Sequence, residues 1–181
     1  ELDAAIAAAA AGDVIKLKND LEYTGSRINI DKAITLDLNG FNVGADTTWS
    51  LDFGGYESVV TIINTGERAS IGGTVTARGK LIIGSNIDIK KICVIYGTVD
   101  ISNADFVSSM LSSEVDGTNY SGFTLGHSYG IFDAWGNKIT SGELTKRASY
   151  TIRCKHTDCT DATCTSDGVC NVCGVIMDEA L

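Results

Sequence analysis

Positive charge is scarce in this chain. Its 181 residues include 14 lysines and arginines against 23 aspartates and glutamates, which gives a formal net charge of −9. An acidic surface repels phosphate groups, so this balance argues against nucleic acid and anionic membrane surfaces as partners. Cations and neutral glycans remain compatible with it.

Long apolar runs and nucleotide-binding signatures are also missing. No run reaches the roughly 20 residues that cross a bilayer, so membrane insertion is not expected. The segment AAIAAAAAG, residues 4–12, is short and has no basic flank, unlike a signal peptide. The chain contains neither GxxxxGK nor GxGxxG, which argues against a phosphate-binding loop.

The first residues predict one short helix. Alanine is the best helix former, and the segment from Leu2 to Ala11 is mostly alanine. Gly12 provides a C-terminal stop. Leu2 and Ile6 are spaced i, i+4, so both side chains are expected to face a core.

After Asp13 the pattern changes to short strands. The segments VIKL, INI, AITLDLNG, SVVTIINTG, TVTARGKLIIGSN and ICVIYGTVDISN are rich in Val, Ile, Leu and Thr. The strands within them are closed by Asn, Gly, Asp or Ser, which are turn residues. No second helical pattern intervenes before about residue 105, so the chain is predicted to be all-β. Cys93 lies inside a strand pattern and is predicted to be a small buried side chain.

Asparagines close several of these strands at a loose period. Asn39, Asn64, Asn86 and Asn103 are separated by 25, 22 and 17 residues. A period of about 20 to 25 residues is typical of a β-solenoid, in which equivalent Asn side chains can stack along the axis. The alternative is that asparagine is simply common in turns.

The opening LDAAIAAAAAGDVIKL, followed by INIDKAITLDLNG, resembles the start of right-handed parallel β-helix proteins of the pectate-lyase-like superfamily. The resemblance covers about residues 1–105 and implies a capping helix over 1–12 and β-helix coils over 13–105. A cap is physically reasonable, because the end of a solenoid exposes an unpaired apolar layer.

Residues 106–150 are predicted to form the last coil and an antiparallel cap. YGIFDAWGNKIT indicates a hairpin with its turn at Gly136 and Asn137, and ASYTIR indicates a further strand. Aromatic side chains concentrated here could stack on sugars, with Trp135 and Tyr129 as the candidate ligand-binding residues. The alternative is that most of them seal the solenoid end.

Three aspartates are the candidate catalytic residues. Asp37, Asp88 and Asp100 each alternate with apolar neighbours, so each is expected to point outward and to join a stripe of carboxylates across neighbouring coils. The alternative is that they are ordinary solvent-facing residues of an acidic protein. His127, six residues before Asp133, is a further candidate acid–base pair, or an inert loop histidine.

The end of the chain concentrates cysteine. Five of the six cysteines lie between residues 154 and 173. Cys170-x2-Cys173 followed by Gly174 has the spacing of a metal knuckle, in which two thiolates converge and glycine lets backbone N–H groups turn toward sulfur. Tetrahedral zinc needs two more ligands, and the upstream candidates are Cys154, His156, Cys159 and Cys164.

The stretch CKH…ATCTSDGVCNVCG resembles small Cys/His modules of bacterial surface proteins, particularly those of anaerobic gut Firmicutes. The resemblance implies a zinc-ribbon-like module over residues 151–181. We favour structural zinc on Cys154, His156, Cys170 and Cys173, with Cys164 or Cys159 as alternative ligands. Disulfides are the competing interpretation, because secretion favours them and five cysteines allow two bridges with one thiol left over.

The expected function is that of a non-catalytic, secreted or cell-surface bacterial module that binds a glycan or another surface protein. This expectation rests on the acidic composition, the missing catalytic constellation and the resemblance of the tail. The alternative is a polysaccharide lyase or glycoside hydrolase of the β-helix type, and the third hypothesis is a structural spacer. The sequence gives no indication of an oligomeric state.

Overall fold

A computed structural model describes residues 2–22, 27–44, 50–53, 58–95, 97–105, 108–113, 123–125, 129–139, 149–154, 168–169 and 176–178. Its elements are one helix and short strands: α1 (Leu2–Ala8), β1 (Val14–Lys16), β2 (Arg27–Ile30), β3 (Thr35–Asp37), β4 (Ser50–Phe53), β5 (Val59–Ile63), β6 (Ala69–Ala77), β7 (Lys80–Ile83), β8 (Ile87–Val94), β9 (Thr98–Ile101), β10 (Ser108–Ser113), β11 (Phe123–Leu125), β12 (Tyr129–Phe132), β13 (Lys138–Ile139), β14 (Ser149–Cys154), β15 (Gly168–Val169) and β16 (Ile176–Asp178).

The N-terminal helix is shorter than predicted but buries the predicted side chains. Helix α1 ends at Ala8 rather than Ala11, while Leu2 and Ile6 are both 4% exposed. Lys32 explains part of this ending. Its ammonium donates to the carbonyls of Ile6, Ala7 and Ala9 at 2.8–3.0 Å, and a cation on these orphan carbonyls stabilises a helix C-terminus.

Alternate strands form two separate parallel sheets. The first sheet has the order β1-β3-β5-β7-β9-β11, and the second begins β2-β4-β6-β8-β10. All pairings within these two series are parallel. A chain that visits two sheets in alternation and always advances by one neighbour winds as a solenoid, so the predicted parallel β-solenoid is confirmed.

A third, narrower face completes each coil. Leu21 bridges to Val43, and Val43 bridges to Ile71, both in parallel. Ile71 is in turn paired with Ile89, and the register between β6 and β8 shifts just after this pair. The shift is a bulge that bends both long strands, so their first halves lie on the third face and their second halves in the second sheet.

The core is a continuous column of aliphatic side chains. Leu36, Ile62, Ile83 and Val99 project inward from the first sheet, and Val75 does so from the second, each at most 1% exposed. Period-2 alternation puts their polar neighbours outside. Burying residues of this size contributes about 1.5–3 kcal/mol each relative to exposure, so stacked coils rather than single strands stabilise the fold.

The closing asparagines tie neighbouring coils together through the backbone. Asn39 donates to the carbonyl of Leu17, Asn64 donates to that of Asn86, and Asn86 donates to that of Gly66, at 2.8–2.9 Å. The Asn64 amide oxygen also accepts the N–H of Gly40 at 2.7 Å. These asparagines therefore link neighbouring coils, but each does so through main-chain groups, and the predicted stacking of one amide on another is not among the hydrogen bonds of the described asparagines.

An antiparallel cap follows the coils. Strand β14 pairs antiparallel with β10, and β12 pairs antiparallel with β14 and β13, as predicted for this part of the chain. The last two strands, β15 and β16, pair with each other in a separate small sheet.

Candidate functional site

The candidate catalytic aspartates do not share one stripe. Asp37 and Asp100 lie in the first sheet, on β3 and β9, and Asp88 lies in the first half of β8, on the third face. Within the first sheet, Asp100 is in register with Ile82, whereas Asp37 is in register with Ile63. Strands β5 and β7 lie between Asp37 and Asp100, so the three carboxylates cannot act on one bond.

The expectation that Asp37 faces solvent is wrong. Its side chain is 4% exposed and accepts the Thr65 hydroxyl at 2.7 Å and the N–H groups of Thr65 and Asn39 at 3.0 and 2.9 Å. The Lys16 ammonium lies 3.4 Å from the Asp37 carboxylate. Burial alone would raise the pKa of Asp37, but these hydrogen bonds outweigh it and lower the pKa below its ordinary value. The carboxylate therefore holds the backbone at Asn39 and Thr65 together at a corner of the coil.

Asp88 is tied to an arginine of the preceding coil. The Arg68 guanidinium donates to both carboxylate oxygens of Asp88, at 2.7 and 2.8 Å, and also lies 3.6 Å from the Asp105 carboxylate. The bond to Asp88 raises the pKa of Arg68 despite partial burial of the guanidinium. This bidentate geometry leaves Asp88 an ion-pair partner rather than a free base.

Asp100 is held by its own turn. The Ser102 hydroxyl and N–H group donate to one carboxylate oxygen at 2.6 and 3.0 Å. The hydroxyl bond is the main reason that the pKa of Asp100 is lowered, with partial burial opposing it. A carboxylate stabilised in its charged form is a poor general acid at neutral pH.

The structure also reveals an ion triad around a buried aspartate, which no sequence motif indicated. Asp52 on β4 is 2% exposed, and its carboxylate lies 3.0 Å from the Arg78 guanidinium and 3.3 Å from that of Arg27. Arg78 and Asp52 are 26 residues apart in the chain, so no local pattern marks their contact.

Two aromatic candidates in the cap have opposite environments. Tyr129 is 3% exposed and packs with the core, which fits the alternative that aromatic side chains of the cap seal the solenoid end. Trp135 is 86% exposed, which confirms that it is presented to solvent. Tyr129 begins strand β12 in register with Cys154, whereas Trp135 lies beyond the strand in the turn.

The turn that carries Trp135 is internally ordered. One carboxylate oxygen of Asp133 accepts the N–H groups of Trp135 and Asn137 at 2.9 and 2.8 Å, and the other accepts the Asn137 side-chain amide at 2.9 Å. The amide bond is the main cause of a lowered pKa at Asp133. Gly136 adopts a φ of +86°, which favours glycine. The backbone beneath the indole is therefore fixed before any ligand arrives.

Cationic and aromatic side chains continue from this turn across the cap. Lys138 on β13 is in register with Phe132 on β12, and Arg153 projects from β14 with its guanidinium carbon 4.0 Å from the Phe132 ring centroid. Lys138 and Arg153 are exposed, and Phe132 is half-buried. We call Phe132, Trp135, Lys138 and Arg153 the cap patch.

Several candidate residues fall outside the described part of the chain. These are His127, His156, Cys159, Cys164, Cys170 and Cys173. Cys154 ends strand β14. Within the described ranges, no three His, Cys, Asp or Glu side chains are grouped so that they could hold a metal ion. Cys93 is buried, at 4% exposed, as predicted.

Comparisons of the chain with known protein families, with curated proteins and with solved structures found no match. The described residues also include no helix with the length and apolar character that a membrane crossing requires. The fold is therefore defined by the chain's own geometry, as a parallel β-solenoid with an antiparallel cap.

Proposed function

We propose that this protein is a non-catalytic binding module whose ligand, a glycan or another surface protein, contacts the turn that carries Trp135. The observation that carries the proposal is an indole 86% exposed on an ordered turn. Exposing a large apolar side chain to water is unfavourable, and aromatic side chains supply much of the binding energy at the interfaces where they occur.

The turn is suited to binding because its backbone needs no further ordering. Asp133 already satisfies two turn N–H groups and the Asn137 amide. Ordering a mobile loop would weaken association, so a prearranged turn favours it. The polar side chains of Asp133 and Asn137 belong to the same turn as the indole, and a sugar offers both an apolar face and hydroxyl groups to such a site.

The environments of the candidate catalytic groups favour binding over turnover. Asp37 and Asp100 have lowered pKa values, and each accepts several internal hydrogen bonds. A general acid needs a pKa raised toward neutral pH, so both residues are shifted in the opposite direction. Asp88 is engaged by Arg68.

A glycan array probed with the intact chain tests the proposal. We expect saturable binding to at least one glycan, lost in Trp135→Ala and kept in Val59→Ala. Val59 is the matched control because it is another exposed apolar side chain, 40% accessible, on strand β5. Binding that survives Trp135→Ala contradicts the assignment of the contact surface.

The alternative, a polysaccharide lyase or glycoside hydrolase, predicts product formation. Incubation with a polysaccharide panel would then yield fragments whose release is abolished by Asp88→Ala or Asp100→Ala. That result would replace the binding proposal with the enzymatic one.

We further propose that residues 151–181 form a zinc-ribbon-like module with structural zinc on Cys154, His156, Cys170 and Cys173, and with Cys164 or Cys159 as alternative ligands. Support comes from the described strands around the motif. Val169 pairs with Ile176, so the two strands bring together the ends of the segment that contains Cys170 and Cys173. A CxxCG segment between two paired strands is the usual setting of a metal knuckle.

Elemental analysis combined with a thiol count separates zinc from disulfides. About one zinc per chain with all cysteines reduced supports the metal, whereas no zinc and few free thiols supports bridges. In both cases the cross-link, zinc or disulfide, compensates for a segment that has few large apolar residues with which to form a core. A secreted or surface-attached bacterial location and a right-handed coil of the pectate-lyase-like kind complete the proposal.

A further inference from the structure

We propose that the cap patch is a docking site for an extended, acidic polypeptide segment in which carboxylate side chains flank a large apolar one. This inference rests on the proposed function, because it uses the same contact residue, Trp135, and specifies the chemistry of the partner.

The first observation is the charge state of the patch. Arg27, Arg68 and Arg78 all form ion pairs with aspartates of the solenoid coils. Arg153 differs from them, because its guanidinium stacks on the Phe132 ring and forms no ion pair within the described residues. Lys138 likewise forms no ion pair there. In a chain of net charge −9, two neighbouring exposed cations without an ion pair among the described residues are a local exception.

The second observation is how Arg153 is held. Its guanidinium carbon lies 4.0 Å from the Phe132 centroid. A guanidinium held over an aromatic ring keeps its N–H groups, and such a fork binds carboxylates in a bidentate manner. The described residues supply no carboxylate to this cation.

The spacing of the cations suits an extended chain. Strands β13, β12 and β14 are consecutive, and Thr151 on β14 is level with Lys138. Arg153 lies two residues further along β14, so the backbones of Lys138 and Arg153 lie about 12 Å apart, two interstrand spacings across and two residues along. An extended polypeptide rises about 3.3 Å per residue, so acidic residues separated by two to four positions can reach both cations. An apolar side chain between them is then placed near Phe132 and Trp135.

The composition of the patch also resembles that of a protein interface. Trp and Arg are the residues most enriched among those that dominate protein–protein binding, and here they occur together on ordered backbone. The acidic remainder of the surface would repel the same segment elsewhere, which adds specificity and steers the partner to the cap.

Fluorescence anisotropy with a labelled peptide of sequence GSEEFEESG tests the inference, with GSQQFQQSG as its uncharged control. We expect binding of the acidic peptide only, weakened by added salt because exposed ion pairs are screened. Trp135→Ala should weaken binding at least about tenfold. Lys138→Gln and Arg153→Gln should each weaken it about threefold at low salt.

Two further variants sharpen the result. Lys18→Gln removes an exposed cation at the opposite end of the solenoid and should leave affinity unchanged. Arg153→Lys keeps the charge but not the planar fork, so it should bind more weakly than the parent chain. Circular dichroism of each variant establishes that the fold is retained.

The outcomes separate this inference from the proposed function. Equal affinity for both peptides, or affinity unaffected by Lys138→Gln and Arg153→Gln, overturns the acidic-segment inference. If a glycan nevertheless binds in a Trp135-dependent manner, the proposed function stands and only the partner class is wrong. If neither peptide nor glycan depends on Trp135, both proposals fail.

Discussion

Replacing Asp37 tests whether the candidate catalytic carboxylates are structural. Asp37→Ala would leave three hydrogen-bond donors without their acceptor: the Asn39 N–H, the Thr65 N–H and the Thr65 hydroxyl. At about 1 kcal/mol for each orphaned donor at a shallow site, the free energy of unfolding should fall by about 3 kcal/mol. Lys16 adds little, because its side chain is 52% exposed.

Two comparison variants distinguish the loss of buried hydrogen bonds at Asp37 from the general effect of removing a carboxylate. Asp37→Asn keeps an acceptor for the two N–H groups, and the Thr65 hydroxyl can accept from the new amide, so the loss should be about 1 kcal/mol. Asp88→Ala removes an ion pair whose side chains are 40% and 48% exposed, so it should cost less than about 1 kcal/mol.

The pH dependence follows from the lowered pKa of Asp37. A carboxyl whose pKa is lower in the folded than in the unfolded state stabilises the fold above the unfolded value of about 3.8. That contribution is lost as the pH falls through the folded pKa. The difference in stability between the parent chain and Asp37→Ala should therefore shrink under strongly acidic conditions.

Urea unfolding followed by circular dichroism, at neutral and at acidic pH, measures these differences. The structural interpretation is refuted if Asp37→Ala is no more destabilising than Asp88→Ala. A difference between the parent chain and Asp37→Ala that grows on acidification would contradict the assigned direction of the pKa shift.

Three further substitutions test the solenoid itself. Ile62→Ala empties a fully buried position, and urea unfolding should show a loss of about 3–4 kcal/mol, with the exposed Val59→Ala as the control that changes little. Asn64→Ala removes the acceptor of the Gly40 N–H and the donor to Asn86, so thermal unfolding should show a loss of about 2 kcal/mol, and an unchanged midpoint would contradict the inter-coil role. Gly97→Ala would place a Cβ against the backbone carbonyl of Gly79, so a loss of about 2 kcal/mol or more is expected, whereas Gly12→Ala meets no neighbouring atom and only incurs the strain of its positive φ.

Local patterns were sufficient to predict the strands and the class of fold. Runs of Val, Ile and Leu closed by turn residues predicted β5, β7 and β9. Burial alternates along each of these strands, because successive side chains point into and out of the coil. The exposure of Trp135 was also predictable, because Gly136 and Asn137 mark a hairpin turn. The helix was predicted too long because Lys32, distant in sequence, helps to end it.

The errors concern contacts between coils of unequal length. Asp37 follows the outward alternation of its strand, but a corner loop from the next coil brings Thr65 over it. Asp52 and Arg78 lie 26 residues apart, whereas Arg68 and Asp88 lie 20 apart, so no single period aligns both pairs. Tyr129 is buried by the cap strands, whose pairing is antiparallel and breaks the coil period altogether.

We propose that the chain binds its ligand at Trp135 and leaves the ligand chemically unchanged. Mass spectrometry of a bound glycan or peptide, recovered after prolonged incubation with the parent chain and with Trp135→Ala, measures both properties. We expect the ligand to be retained only by the parent chain and to be recovered with its mass unchanged. Recovery of cleavage products, suppressed by Asp88→Ala or Asp100→Ala, would contradict it.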